Sequence, residues 1–405
     1  MKSVIYIVIL VLISFGVHSQ QFLPQSYDTV KQKNRVVLQG WGFHHSNALK
    51  NDITGKFLRG GEIDDEIKSN SLEGHGSKNN SLGGEVYSSI DYFFQPNAWQ
   101  EKNYGLVFSL GQQLHFASEY NSDLYELVFF GNNNFQNAAA NVANTRGMLL
   151  DMYKVGGGIF NMENKNYIAL NAVFVNDYFR FQSDRGRVFN NVTDNVIDYD
   201  LDMYFQQASS HTYFQGMGAS IDFDYNLGIQ DGGVFDGYIQ ISGRNLGFVY
   251  MDQLEKVGIS ANGQYSGFNF SNLDLLQEEG IDIADTLGLN RSQENGIEAT
   301  PGFVQISKIT NRVYDHKFKP FFGARFYPTI GYFPMVFLGG QLSFLEHFEA
   351  GAQLSYGGYG NLRGGLYVSY QNRNFALSLG TEDVHGAILK SGFGRSALLR
   401  IQYSW

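Results

Sequence analysis

The chain has 405 residues, a net charge of −10, no cysteine, 15% aromatic residues, 47 glycines and only 6 prolines. The absence of cysteine excludes disulfides, thiolate metal sites and a lipid-modified N-terminal cysteine, and an acidic balance with scattered cations speaks against nucleic-acid partners. Beyond residue 20 no stretch reaches the ~18 to 20 consecutive apolar residues of a membrane helix, while a mean hydropathy of −0.23 suits a chain in which every second residue meets lipid.

In chain order, Met1-Lys2 is a short positive start, Val4 to Val17 is almost unbroken apolar sequence, and Val17-His18-Ser19 is a small-residue cleavage site. Residues 1–19 are therefore expected to be a secretory signal peptide. Residues 20–82 hold one plausible strand, Arg35 to His44, then a polar stretch from Asn47 to Leu82. This region is expected to be an N-terminal plug or a long first loop.

From residue 83 to 405 alternation dominates. Met217, Ala219, Ile221, Phe223, Tyr225 and Leu227 interleave with Gly218, Ser220, Asp222, Asp224, Asn226 and Gly228. Residues 197–205 and 348–356 show the same period, as do segments near 85–95, 104–116, 235–250, 336–345, 362–371 and 374–380. Segments near 147–160, 165–181, 303–310 and 317–327 are noisier but strand-like. Residues 252–300 read as an insertion with a short helix over Leu273 to Leu289, and a second short helix is expected at Ser122–Phe130.

The last ten residues, S-A-L-L-R-I-Q-Y-S-W, place Trp405, Tyr403, Ile401, Leu399 and Ala397 on one face. Ser404, Gln402, Arg400 and Ser396 fall on the other, with Leu398 the exception. Such a strand suits the closing stave of an outer-membrane barrel, with Trp405, Tyr403 and Ile401 facing lipid and read by the barrel-assembly machinery. The whole pattern predicts an all-β fold, a transmembrane antiparallel up-and-down β-barrel of about 14 strands (12–16). An even count leaves both ends on the periplasmic side. Tight connections near Gln371–Asn374, Leu345–His347, Asn311–Asp315 and Gln230–Gly233 are then periplasmic. Longer ones near Glu382–Ser391, Tyr327–Pro334 and Asp252–Thr300 face outside.

Several phrases resemble a Bacteroidota outer-membrane family of unknown function, related in fold to the FadL and PorV barrels. They are R-V-V-L-Q-G-W-G-F at 35–43, D-L-Y-E-L-V-F-F-G-N at 123–132, and I-Q-I-S-G-R-N-L-G-F-V at 239–249. S-G-F-N-F-S from Ser266 and the terminal G-R-S-A-L-L-R-I-Q-Y-S-W complete the series. The resemblance implies a FadL-like barrel and carries no substrate or binding residue. The N-P-A motif of the FadL and PorV hatch is absent, with Gln95-Pro96-Asn97-Ala98 a scrambled echo, which speaks against a hatch-gated mechanism.

The sharpest polar cluster is Asp198, Asp200 and Asp202 on one strand with Asp222 and Asp224 on the next. If the two strands pair as a hairpin through Gln207–His211, the five carboxylates form a luminal acidic patch, balanced in part by inward Arg244 and Arg363, with Arg400 lining the same lumen. Opposed like charges destabilise a ladder unless water or a cation intervenes. A hydrated luminal face is favoured over an ion site, because cages for hard cations also draw on loop carbonyls. His44 and His45 point to opposite faces of a strand and cannot chelate together, so no metal is expected. No nucleophile elbow, phosphate loop or dinucleotide fingerprint occurs, and Gly357-Gly358-Tyr359-Gly360 reads as a tight loop between strands. Trp41 and Trp99 suit either an interface girdle or a stacking surface. No enzymatic activity and no cofactor are expected. The leading functional expectation is a passive FadL-like channel for small apolar solutes. The alternative is an accessory barrel of a secretion or surface-export complex, with other outer-membrane proteins as partners.

Overall fold

The computed structural model describes residues 33–208, 214–229, 236–265, 289–310 and 317–405. The chain runs through β1 (Asn34–Ser46), β2 (Asn80–Phe94), β3 (Tyr104–Tyr120), the short β4 (Ala139–Asn141), β5 (Thr145–Asn161) and β6 (Tyr167–Asn191). It continues through β7 (Val196–Ala208), β8 (Gly216–Ile229), β9 (Gly237–Tyr265), β10 (Leu289–Ala299), β11 (Phe303–Thr310) and β12 (Phe318–Phe326). The last five are β13 (Phe333–Leu345), β14 (Phe348–Gly358), β15 (Gly360–Gln371), β16 (Phe375–Thr381) and β17 (Gly394–Ser404).

Neighbouring staves pair antiparallel, and β17 returns to β1 in a register from Arg35↔Ser404 to His45↔Gly394. Trp405 and Asn34 exchange backbone hydrogen bonds of 3.0 and 3.3 Å at the seam. The result is a closed antiparallel barrel of 14 staves, in which β4, β7 and β10 are additions. Both described chain ends lie at one end of the barrel, with the tight turns at Glu346–His347 and Asn372–Asn374; we call this the turn end. The opposite, loop end carries most of the longer connections, together with the tight β14–β15 turn.

Burial inverts the pattern of a soluble core. Along β14, Glu349, Gln353 and Ser355 are buried, while Leu354 and Tyr356 are 52% and 60% exposed. Leu338 on β13 and Leu170 on β6 stand out at 63% and 65%. Polar groups inside and large apolar groups outside are stable only where the exterior is hydrocarbon. At the turn end the exposed rings of Tyr403, Trp405, Tyr92 and Phe108 stack in a row through the half-buried Phe94, the girdle expected at an interface.

Three expectations need correction. The barrel starts at β1, not at residue 83, because Arg35–His44 pairs on both sides as a full stave. Residues 47–79 are a loop over the loop end, bearing α1 (Asn51–Arg59) and α2 (Asp65–Leu72). Residues 252–300 are not a separate insertion, since β9 continues to Tyr265 and β10 returns along it. And β7 does not form a hairpin with β8. They lie end to end along the same two neighbours, β7 on the upper parts of β6 and β9, β8 on their lower parts. The signal peptide, the helix expected over Leu273 to Leu289 (apart from Leu289, which starts β10) and the turns at 230–233 and 311–315 fall outside the described residues. The helix expected at Ser122–Phe130 is present with those bounds (α3), with the Asn121 side chain capping Leu124 N–H at 3.0 Å.

Candidate functional site

The interior holds the chemistry. Alternation on β2 and β3 turns Glu85, Tyr87, Gln113 and His115 inward, and closure of the ring buries them, Glu85 and His115 completely. A carboxylate without water must find donors. Glu85 accepts from Trp41 Nε1 at 2.6 Å, Gln113 Nε2 at 2.7 Å and His115 Nδ1 at 2.9 Å. Because the carboxylate only accepts, His115 donates from Nδ1, and its Nε2 lies 3.0 Å from the Tyr359 hydroxyl. Gly83 makes room for that contact, since a side chain there would fall inside the Tyr359 ring.

The network continues through Gln113 Oε1, which accepts from Asn245 Nδ2 at 2.6 Å. Asn245 Oδ1 accepts from Lys154 Nζ at 2.7 Å, and Lys154 pairs with Asp222 at 2.5 Å. A bulge sets this geometry: between Ile221↔Leu246 and Phe223↔Gly243, β9 places two residues against one of β8. Asn245 takes the left-handed conformation there (φ 52°), tolerable for Asn, and both Arg244 and Asn245 become buried. Arg244 pairs with Asp224 at 2.5 Å. Elsewhere in the wall, Arg325 pairs with Glu382 at 3.1 Å and Lys319 with Glu349 at 2.7 Å.

Aromatic rings carry the contacts across the lumen. Trp41 on β1 stacks on Tyr87 at 3.9 Å between centroids and meets Phe303 on β11 edge-on at 6.4 Å. In the ring, β1 and β11 are diametrically opposite staves. Phe303 packs on Tyr327, Tyr327 on Tyr332, and Tyr332 on Tyr359, with centroid distances of 5.1, 4.9 and 5.1 Å. The β12–β13 loop, residues 327–332, is thus folded into the barrel. Its Tyr327 hydroxyl reaches Glu85 at 3.5 Å, and its Thr329 hydroxyl meets the Met148 sulfur of β5 at 3.4 Å. Pro301, at the break between β10 and β11, offers its carbonyl to Gln113 at 2.8 Å.

The expected acidic patch is split. Asp222 and Asp224 are inside the barrel, each on a cation. Asp198, Asp200 and Asp202 lie on β7, beyond the loop end, where Arg185 reaches Asp200 at 3.6 Å and Asp202 at 3.3 Å. Arg363 does not balance the aspartates. It donates to the Gly357 carbonyl at 2.9 Å and holds the β14–β15 turn. That turn is the expected tight loop, with Gly357 and Gly358 at positive φ. Arg400 faces inward and donates to Gln402 at 3.2 Å. Trp405, Tyr403 and Ile401 lie on the outward face of β17, the first two 51% and 52% exposed. Glu85, Gln113, His115, Lys154 and Asn245 were not singled out in the sequence; a polar residue at an inward register position was the signal available.

One stretch of wall is made differently. β16 ends at Thr381, so β15 above Leu366 pairs with β14 on one side and with no strand on the β16 side. The short α4 (Val384–Ile388) fills this window, anchored inward by Glu382 on Arg325. Outside it runs an apolar groove lined by Leu338, Ala352, Leu354, Gly364, Leu366 and Val384.

No protein-family model matches the chain, and no curated protein matches it. Among solved structures it is similar to the toluene transporter TbuX of Ralstonia pickettii (9% identity, 93% of this chain and 90% of that one, TM-score 0.39). It is also similar to the toluene transporter TodX of P. putida (7%, 95% and 91%, 0.38). A third is the translocator domain of the autotransporter NalP from Neisseria meningitidis (11%, 100% and 98%, 0.30). The likeness is one of barrel architecture.

Proposed function

We propose that this chain is an outer-membrane barrel held shut by its own interior, acting as an accessory platform at the cell surface and not as an open channel or an enzyme. Its inverted burial supports a membrane setting. Short turns at one end and long loops at the other support an outward-facing loop end. The observation that carries the reading is the Trp41–Phe303 contact between diametrically opposite staves. Around it a buried, mutually satisfied polar network fills the space where a channel for apolar solutes needs an apolar, continuous cavity. Liposome swelling tests it: purified protein should admit small sugars no faster than protein-free vesicles, and swelling that scales with protein would refute it.

A second reading, entry of small apolar solutes through the wall, is favoured by the window at α4 and the groove outside it. Uptake of a hydrophobic solute by a deletion strain, unchanged from the parent, would set this reading aside.

A further inference from the structure

The loop end carries a structure that the barrel itself does not need. The upper parts of β6 and β9, with β7 and β10, form a four-stranded ribbon in the order β6–β7–β9–β10. It stands beyond the apolar belt, which on β9 ends at Phe248 and Tyr250 and gives way to Asp252 and Gln253.

The ribbon has two edges, and they are treated differently. The β6 edge is covered throughout. Thr145 of β5 faces Ser183, β4 pairs with Arg187 to Phe189, and Asn144, Val142 and Asn137 donate to Ser183, Gly186 and Asn190 at 2.7 Å. The β10 edge pairs with no strand among the described residues. From Leu289↔Ile259 to Glu294↔Leu254 it is regular, and its only bulge lies lower, between Glu294 and Gly296. Asn290, Arg291, Ser292 and Gln293 are all exposed. The segment contains no proline and no lysine, the usual guards of an edge. Its backbone groups therefore present a template of roughly 20 Å for one more strand.

Two observations specify the occupant. Copies of this barrel in one membrane are related by an axis along the membrane normal. Such an axis preserves the up-and-down sense of β10, so two β10 edges meet only in parallel, the weaker arrangement. A segment of another chain is free to add antiparallel. The second is charge. Arg185 takes Asp200 and Asp202, Arg180 takes Glu298, and Lys256 takes Glu294. Among the described residues, Asp252 and Glu255 on β9, the strand beside β10, have no cation partner, nor do Asp184, Asp194 and Asp198 on the farther β6, β7 and their turn, while Arg291 is the one cation on β10 itself.

We propose that the free edge of β10 docks an extended, basic segment of another cell-surface polypeptide as an added antiparallel strand. The biological setting rests on the platform reading above, but the edge is tested independently of the lumen. The probe is a fluorescent ten-residue peptide alternating lysine with valine, titrated against the full chain in micelles and read by anisotropy. We expect saturable binding, weakened at least tenfold when aspartate replaces lysine and abolished when two prolines interrupt the peptide. Successive backbone N–H groups point to opposite sides of a strand. Of Ser292→Pro and Gln293→Pro, the one whose N–H faces outward should therefore abolish binding while hydrogen exchange in β7 and β9 stays native. The proposal is overturned if the lysine peptide does not saturate, if the proline peptide binds equally, if neither variant matters, or if sedimentation shows a β10-dependent dimer. Swelling of liposomes with normal peptide binding would instead defeat the closed-barrel reading alone.

Discussion

At the scale of residues, the interior behaves as a set of mutual obligations. Lys154 and Asp222 are both buried and each is the other's charge partner. Lys154→Met should therefore cost about 3–5 kcal/mol, mostly by orphaning Asp222. Adding Asp222→Leu should recover most of that loss, and urea unfolding of the three proteins checks it. On the outer cap, His75 donates from Nδ1 to the Ser71 carbonyl at 2.9 Å and accepts at Nε2 from Tyr120 at 3.1 Å, with its ring against Tyr125. Burial pushes its pKa below the ordinary value near 6.5, so the fold prefers the neutral ring. The stability this gives is complete above the unfolded value and is lost as pH falls through the folded one. Hydrogen exchange of α2 and α3, corrected for intrinsic rates, should accelerate from pH 7.5 to 5, and His75→Asn should flatten that dependence. Legibility differed by residue for a physical reason. Asp222, Asp224 and Arg244 were visible as charges at alternating positions. Asn245 was not, because a bulge between two strands, not its own strand, turns it inward. Glu85 and His115 gain their meaning only from Trp41, Tyr327 and Tyr359, which closure of the ring brings to them.

At the scale of elements, period two made the staves legible, and the closing strand shows its expected outward face at Ala397, Tyr403 and Trp405, while Leu399 of the same face is buried. What the period does not encode is length relative to the membrane. β6 and β9 keep alternating past the belt, so β7 and β10 read as ordinary staves or as an insertion, and the β7–β8 hairpin was expected where two half-strands stand end to end. The window beside β16 was equally hidden, since a strand that stops early differs from a long loop only in its partner's unpaired edge. Gly386 locks α4 into that window: a Cβ there would collide with the Gly394 carbonyl. Gly386→Ala should displace the helix, and trypsin should then cut after Lys390 several-fold faster than in the parent chain. An unchanged rate would mean that the wall beside β16 yields elsewhere.

At the scale of the whole molecule, the apolar outward belt and the polar interior are one arrangement, since lipid favours the first and leaves the polar groups to the enclosed lumen, where the chain from Glu85 through Gln113, Asn245 and Lys154 to Asp222 is paired. The central claim is that this interior closes the barrel, with Trp41, Phe303 and Tyr327 as the span. Single-channel recording in planar bilayers tests it most directly, on the parent chain and on a variant combining Trp41→Ala with Tyr327→Ala. The parent should show no stable conductance and the variant discrete openings; steady channels in the parent would contradict the account.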